Sequence, residues 1–299
     1  MSLLFALSIA LIPSSIEAGN TKWKAHHVII LGLDGWAAHN FSQENIPNIK
    51  KLMKDGSYTL KKRSVSPSVS AANWASMFMG AGPELHGYSQ WFNKVPDLPS
   101  RVVNKDNIFP TIFSVFREQC PKAEIGCFYQ WNGIKYVVDT LALNKNKEFA
   151  EDMKSSPALC EAAEKYIKEE HPNLALFYFA FPDDIGHSSG WYSNEYNKAL
   201  EELDGYIGRI VGAVKDAGIL DDTIFIITSD HGGHDKGHGS QSMLDMETPF
   251  IICGKDIKKN HEIQASMMQF DVAATIAYIF NLKQPQVWIG RPMKEVFNK

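Results

Sequence analysis

Uninterrupted apolar runs rich in β-branched residues alternate along this chain with segments whose apolar positions recur at helical spacing. Strands buried on both faces read as continuous hydrophobic runs, and the helices covering them read as amphipathic stripes. The pattern therefore predicts an α/β fold with a mostly parallel central sheet and helices on both faces, a three-layer α/β/α arrangement. Strands are expected at residues 27–33, 123–129, 174–180, 223–228 and 249–253. Helices are expected at 47–53, 71–79, 112–117, 194–217 and 270–280, with a long amphipathic one at 147–170 broken near Pro157. In the 194–217 segment Leu200, Leu203, Ile207, Ile210 and Val214 share one face. Residues 87–107 mix Trp, Phe, Pro and polar residues without a period, which predicts an insertion or an active-site loop.

Composition narrows the class. The 299 residues carry 30 basic and 34 acidic side chains, and 44% are hydrophobic, so global disorder is excluded. No basic run exceeds Lys61-Lys62-Arg63, so no nucleic-acid-binding face is expected. Residues 1–12 form an apolar run of signal-peptide length, broken at Pro13 and followed by small Ala18. The expectation is a leader over residues 1–18 and export to a secreted, periplasmic or lumenal location; a buried N-terminal helix is the alternative. One catalytic domain would then occupy 19–299. No other segment has 18 uninterrupted apolar residues, so no membrane span is expected in the mature chain. The four cysteines form no CxxC pair, which disfavours a structural zinc cluster. Pairing of Cys120 with Cys127 and free buried thiols both remain open, as does the oligomeric state.

The chemistry lies at the strand ends. Asp34, Asp183 and Asp230 each follow a predicted strand, and in an open α/β sheet those ends share the ligand-binding edge. His187 follows Asp183 by four positions, His231 follows Asp230 directly, and His234 and His238 share one glycine-rich loop. Imidazole and carboxylate are the ligands of zinc and related divalent metals, and so many exceed what one tetrahedral ion needs. Two ions are expected, an arrangement suited to in-line displacement at phosphorus. Taken singly, an aspartate after a strand is more often a cap or turn former.

Six motifs in order carry a resemblance: Leu33-Asp-Gly35, Ser70-Ala-Ala-Asn73, Gly80-Ala-Gly-Pro-Glu-Leu-His-Gly87, Pro182-Asp-Asp-Ile-Gly-His187, Thr228-Ser-Asp-His-Gly232 and Gly237-His-Gly239. Together they resemble the alkaline phosphatase superfamily, in its type I phosphodiesterase/nucleotide pyrophosphatase branch. The resemblance implies a hydrolase of small-molecule phosphate esters with two divalent ions, zinc by preference. It makes Ser70 the nucleophile and Asn73 a donor to the phosphoryl group. One ion would be held by Asp34, Asp230, His231 and the Ser70 oxygen, the other by Asp183, His187 and His238. His234 in place of His238, and Asp184 in place of Asp183, are the alternatives, while His86 would be structural.

A position at a helix N-terminus suits Ser70, because backbone N–H groups there favour anions. The expected course is a two-step hydrolysis through a phosphoserine; for Ser70 alone, a helix-capping role is the plain alternative. Trp74, Tyr88, Trp91, Phe92, Tyr129 and Trp131 are candidates to line the substrate pocket, although aromatic residues are more often core. The chain departs from base-stacking relatives at Ala71, which follows the nucleophile position. It also lacks the Pro and Arg that the formylglycine sulfatases need after theirs. With no cation near the motifs for a dianionic phosphate, a diester is expected over a monoester. The other readings are a phosphomonoesterase or phosphotransferase of the same superfamily, and a catalytically silent relative.

Overall fold

A computed structural model describes residues 23–298; the expected leader lies outside the described residues. In chain order the elements are β1 His27–Leu33, α1 Pro47–Lys54, β2 Gly56–Arg63, α2 Ser70–Met79, α3 Pro83–His86, α4 Ile112–Gln119, β3 Ile125–Tyr129 and β4 Lys145–Glu148. They continue with α5 Ser156–Glu170, β5 Leu174–Phe179, α6 Asp183–Ser189, α7 Asn194–Asp216, β6 Thr223–Thr228, α8 Met243–Met246, β7 Glu247–Gly254, β8 His261–Glu262 and α9 Asp271–Ile279.

All eight strands join one sheet in the order β4-β3-β5-β1-β6-β7-β2-β8. Only β7 runs against the rest, pairing antiparallel with both β6 and β2. Helices α2, α4 and α9 pack together as one group and α1, α5 and α7 as another. The two groups form the outer layers of a three-layer α/β/α fold. The central strands β1, β5 and β6 are buried along nearly their whole length, as their unbroken apolar runs require. Gly32 in β1 admits the sheet-facing ring of Trp74, since a Cβ there would lie 2.8 Å from that ring.

One expectation is corrected. Residues 147–152 are not helical: β4 occupies Lys145–Glu148, a 3-10 turn covers Met153–Ser155, and the α-helix begins only at Ser156. β4 is fully exposed and wholly polar, so its identity comes from backbone pairing with β3 rather than from apolar side chains. β2, α6 and β8 carried no clear period and were not foreseen. All four cysteines are free, so Cys120 and Cys127 are not bridged. Among the described residues, no helix is long and apolar enough to cross a membrane.

What this topology does for function is local. β1 lies between β5 and β6, with Leu33 opposite Phe179 and Gly32 opposite Thr228. The chain leaves these three neighbouring strands at the same edge.

Candidate active site

The three strand-end aspartates converge. Asp34 N–H donates to the Phe179 carbonyl (3.0 Å) and Asp183 N–H to the Asp34 carbonyl (3.0 Å), so the β1 and β5 exits are tied to each other. Gly35 N–H donates to Asp230 Oδ1 at 3.1 Å and ties in the β6 exit.

Each carboxylate is anchored on one side and free on the other. Asp34 Oδ2 accepts from Trp74 Nε1 (2.9 Å) and from the Tyr178 hydroxyl. Asp230 Oδ1 accepts from Gly35 N–H. The opposite oxygens, Asp34 Oδ1 and Asp230 Oδ2, are buried without a hydrogen-bond partner, and so is Asp183 Oδ1. Leaving buried acceptors unpaired is costly, on the order of 1–3 kcal/mol each and more for charged groups. Three such atoms facing one point mark a place built for cations.

The histidines are oriented in the same sense. Nδ1 of His231 lies 2.8 Å from the Gly232 carbonyl, Nδ1 of His238 2.8 Å from that of Ser68, and Nδ1 of His187 3.1 Å from that of Lys236. With Nδ1–H spent on a carbonyl, Nε2 of His231 and of His238 carries the lone pair, the arrangement of a metal-ligating imidazole. His231 Nε2 lies 3.4 Å from Asp34 Oδ1 and 3.2 Å from Asp230 Oδ2. His238 Nε2 is 3.7 Å from Asp183 Oδ1, and His187 Nε2 is 3.4 Å from Asp183 Oδ2 and 3.1 Å from His238 Nε2. Two compact ligand groups result, Asp34–Asp230–His231 and Asp183–His231–His238. His231 borders both, while His187 sits at the outer, exposed side of the second.

Electrostatics follow from this crowding. Burial, then Asp230 and Asp183, push the Asp34 carboxyl well up; burial, then Asp183, does the same to Asp230. Burial holds His231 and His238 down at about 4, which keeps both rings neutral. His187 is drawn up to about 9, chiefly by its hydrogen bond to Asp183.

Ser70 is the first residue of α2, with Val69 before it in extended conformation. Its Oγ lies 3.2 Å from His231 Nε2 and borders a cavity of about 420 Å³ that Asp34, Asp183, His187 and His238 also line. The outer wall holds Trp91, Trp131, Glu151 and Asp184, and among the described residues no lysine or arginine lines the space.

Asn73, Trp74 and His234 lie off the cavity wall. Asn73 is wholly buried, its Oδ1 accepting from Val65 N–H and its Nδ2 directed at the carbonyls of Val65, Pro67 and Val69. That amide holds the loop before α2 and does not line the cavity. Trp74 is also buried and serves Asp34, not a substrate. His234 belongs to neither ligand group; its Nδ1 is 2.6 Å from Asp245 Oδ1. Of the other aromatic candidates, Tyr88 and Tyr129 are core, and only Trp91 and Trp131 reach the cavity. His86 is buried against Ser76 Oγ at 2.9 Å, a structural contact as the turn implied.

Sequence reasoning missed the support beneath the site. Lys62, within what read as a basic surface run, is fully buried, and its Nζ donates to the Ser229 carbonyl (2.7 Å) and to Gln269. Gln269 Nε2 and Ser64 Oγ hold the Asp230 carbonyl at 2.9 and 2.6 Å. Strand alternation could not have found Lys62, because a β-bulge between Thr59 and Lys62 shifts the register and turns that lysine to the buried face of Ser57 and Thr59.

Comparison with known proteins supplies the family. The profile described as type I phosphodiesterase / nucleotide pyrophosphatase matches residues 28–247. The human ectonucleotide pyrophosphatase/phosphodiesterase family member 1 is 26% identical over 216 residues, covering 68% of this chain and 23% of the relative. Family member 7 of Rattus norvegicus is 21% identical over 247 residues, covering 77% and 55%. The chain thus spans only a part of these relatives. Among solved structures, an inactive murine ectonucleotide pyrophosphatase/phosphodiesterase 5 in complex with AMP superposes with a TM-score of 0.75 at 14% identity, covering 91% of this chain and 100% of that one. A 2-O GAG sulfatase superposes at 0.71 with 14% identity, covering 91% and 74%, a likeness of fold. The ordered motifs, the three-layer sheet and the profile match over most of the chain agree: this protein belongs to the type I phosphodiesterase/nucleotide pyrophosphatase family of the alkaline phosphatase superfamily.

Proposed function

We propose that the protein is a metal-dependent phosphodiester hydrolase that works through Ser70. The observation that carries this reading is the set of three buried, unpartnered carboxylate oxygens beside the Ser70 hydroxyl. Asp34, Asp230, His231 and Ser70 would hold one divalent ion, and Asp183, His187 and His238 the other. Carboxylate and imidazole donors with lone pairs turned inward suit zinc. Bound there, such ions lower the cost of a serine alkoxide and offset charge on the phosphoryl oxygens.

The chain's own groups do the rest. Ser70 Oγ, fixed at the start of α2, forms the bond to phosphorus as the bond to the leaving alcohol breaks opposite it. The Ser70 proton passes to solvent, and the departing oxygen takes one from solvent. Water then attacks the phosphoserine from the vacated side and restores the hydroxyl. Trp91 and Trp131 flank the substrate's organic group.

A diester is preferred over a monoester for an electrostatic reason. A monoester brings a second negative charge, and the cavity answers with Glu151 and Asp184, not with a lysine or arginine. Burial, then Asp184 and Asp183, lift Glu151 to about 7, so this wall already resists added negative charge. The leader expected over residues 1–18 and the ecto- prefix in the relatives' names support export.

Zinc-reconstituted and chelator-stripped protein, assayed on aryl phosphate diester, aryl phosphate monoester and aryl sulfate, tests the reading. Turnover of the diester that chelator abolishes and Ser70→Ala lowers by about 10³-fold or more is expected. Ser70→Ala protein that keeps most of its metal-dependent turnover would overturn the covalent step.

A further inference from the structure

Large apolar side chains on the surface are concentrated in one place. Six of the ten that are exposed among the described residues fall between positions 91 and 103: Trp91, Phe92, Val95, Leu98, Val102 and Val103. Phe92 is 58% exposed and Val95 70%, values far from those of a core residue. Isolated exposed leucines need no explanation, but a run of this density beside a catalytic cleft does.

The segment is held in this posture from within. Asn93 is buried; its Oδ1 accepts from Ser89 N–H (2.9 Å) and Gln90 N–H (2.7 Å), and its Nδ2 donates to Asp97 Oδ1 (2.6 Å). Ser89 Oγ donates to Asp97 Oδ2 at 2.5 Å. Asp97 and Leu98 N–H groups return to the Gly87 carbonyl, at 2.8 and 3.2 Å. Gly87, at φ +88°, permits this close return, because a Cβ there would lie 2.1 Å from the Leu98 carbonyl oxygen. Asn93 turns inward and ties the segment together while the large apolar side chains face water. Trp91 and Phe92 meet edge to face, 5.3 Å between ring centres, at the end nearest the cleft.

Charge distinguishes the occupants. Asp106 pairs with Lys105 at 3.1 Å, and exposed Lys94 and Arg101 outnumber exposed Asp97, so residues 87–107 carry a net charge of +1. The loop is thus apolar and basic on a chain whose formal net charge is -4. Exposed apolar side chains interleaved with cations match an anionic lipid surface, where rings enter the headgroup boundary and cations meet lipid charge. A stable protein–protein contact would need about 800 Å² from each partner, a broad face rather than a single loop. Trp91 also lines the cavity, so a surface touching this loop lies at the mouth of the cleft.

We propose that residues 87–107 form a membrane-docking loop that seats the cleft on an anionic lipid surface. Docking is independent of turnover, although its placement beside the cleft gains its meaning from the phosphodiesterase reading.

Co-sedimentation with phosphatidylcholine vesicles, alone or mixed with phosphatidylserine, tests it, in wild-type and in Ser70→Ala protein. Both proteins should bind the mixed vesicles more tightly than the neutral ones. Combined Phe92→Ser, Val95→Ser and Leu98→Ser should weaken that binding about tenfold or more, and Lys94→Gln with Arg101→Gln should abolish the preference for phosphatidylserine. Neither set touches the cavity wall, so turnover of a soluble aryl diester should stay unchanged, which also shows that the variants fold. Absence of vesicle binding in the wild type, or binding indifferent to the triple substitution, would overturn the proposal. So would a protein dimer in solution that the triple substitution dissolves, since the loop would then serve a second copy of the chain. Loss of diester turnover in the wild type with vesicle binding intact would instead count against the catalytic reading alone.

Discussion

Gly35 and Asp183 are packed so closely that a methyl group on Gly35 would lie 2.6 Å from Asp183 Oδ1 and 2.9 Å from the Asp183 Cα. Gly35 also holds φ at +68°, and its carbonyl accepts from Trp191 Nε1 (2.9 Å) and the Tyr196 hydroxyl (3.0 Å). The turn after β1 is therefore a spacer that sets the distance between the two proposed ion sites.

Gly35→Ala should disturb both the turn and Asp183. A left-handed non-glycine residue costs roughly 1–2 kcal/mol, and the clash adds to it. We expect a lowered melting temperature and about tenfold or weaker zinc binding at one of two sites, read by equilibrium dialysis. Unchanged affinity at both sites would show that Asp183 is not a ligand.

Tyr178→Phe tests the support of Asp34. The hydroxyl is one of two donors to Asp34 Oδ2, and loss of such a partner typically weakens metal binding by about 10–100-fold. Calorimetric zinc titration should show the loss at one site while the melting temperature of the metal-free protein changes little.

Metal removal should destabilise the fold. Three carboxylates crowd around His231 Nε2, and a ligand that binds the folded state alone stabilises it by about 2.7 kcal/mol at a hundredfold excess over Kd. A zinc-dependent rise in melting temperature is expected, smaller in His238→Ala protein and unchanged in His234→Ala. The reverse ranking would make His234 the ligand.

Away from the site, Glu44 offers a pH test. Burial lifts its carboxyl to about 7, against the opposing hydrogen bond from Trp36 Nε1. The folded state then binds more protons than the unfolded chain between the ordinary glutamate range and about 7, so stability falls as pH rises through that window. Glu44→Gln, which mimics the neutral acid, should match the wild type near pH 4 and exceed it in melting temperature above pH 7. Parallel melting curves for the two proteins would refute the assignment.

The strands and the candidate ligand positions were legible because both write a local signature. Residues 27–33, 174–180 and 223–228 are apolar without interruption, and the aspartates and histidines follow them at short, fixed spacings. The resemblance gives Asn73 a position but not a direction, and its amide nitrogen points at three backbone carbonyls. Lys62 was misread because a lysine in a basic run looks solvated, whereas here its partners come from residues 229 and 269, far along the chain. β4 left no trace because edge pairing uses main-chain groups, which every sequence possesses.

All ten residues of α2 are buried, so Ser70 is the one corner of a fixed rod that meets the cleft. A hydroxyl mounted this way cannot follow its target, and the target must be delivered to it. Descendants of this scaffold would then acquire new substrates by remodelling the rim around Trp91, Trp131 and Glu151, while the rod beneath stays as it is.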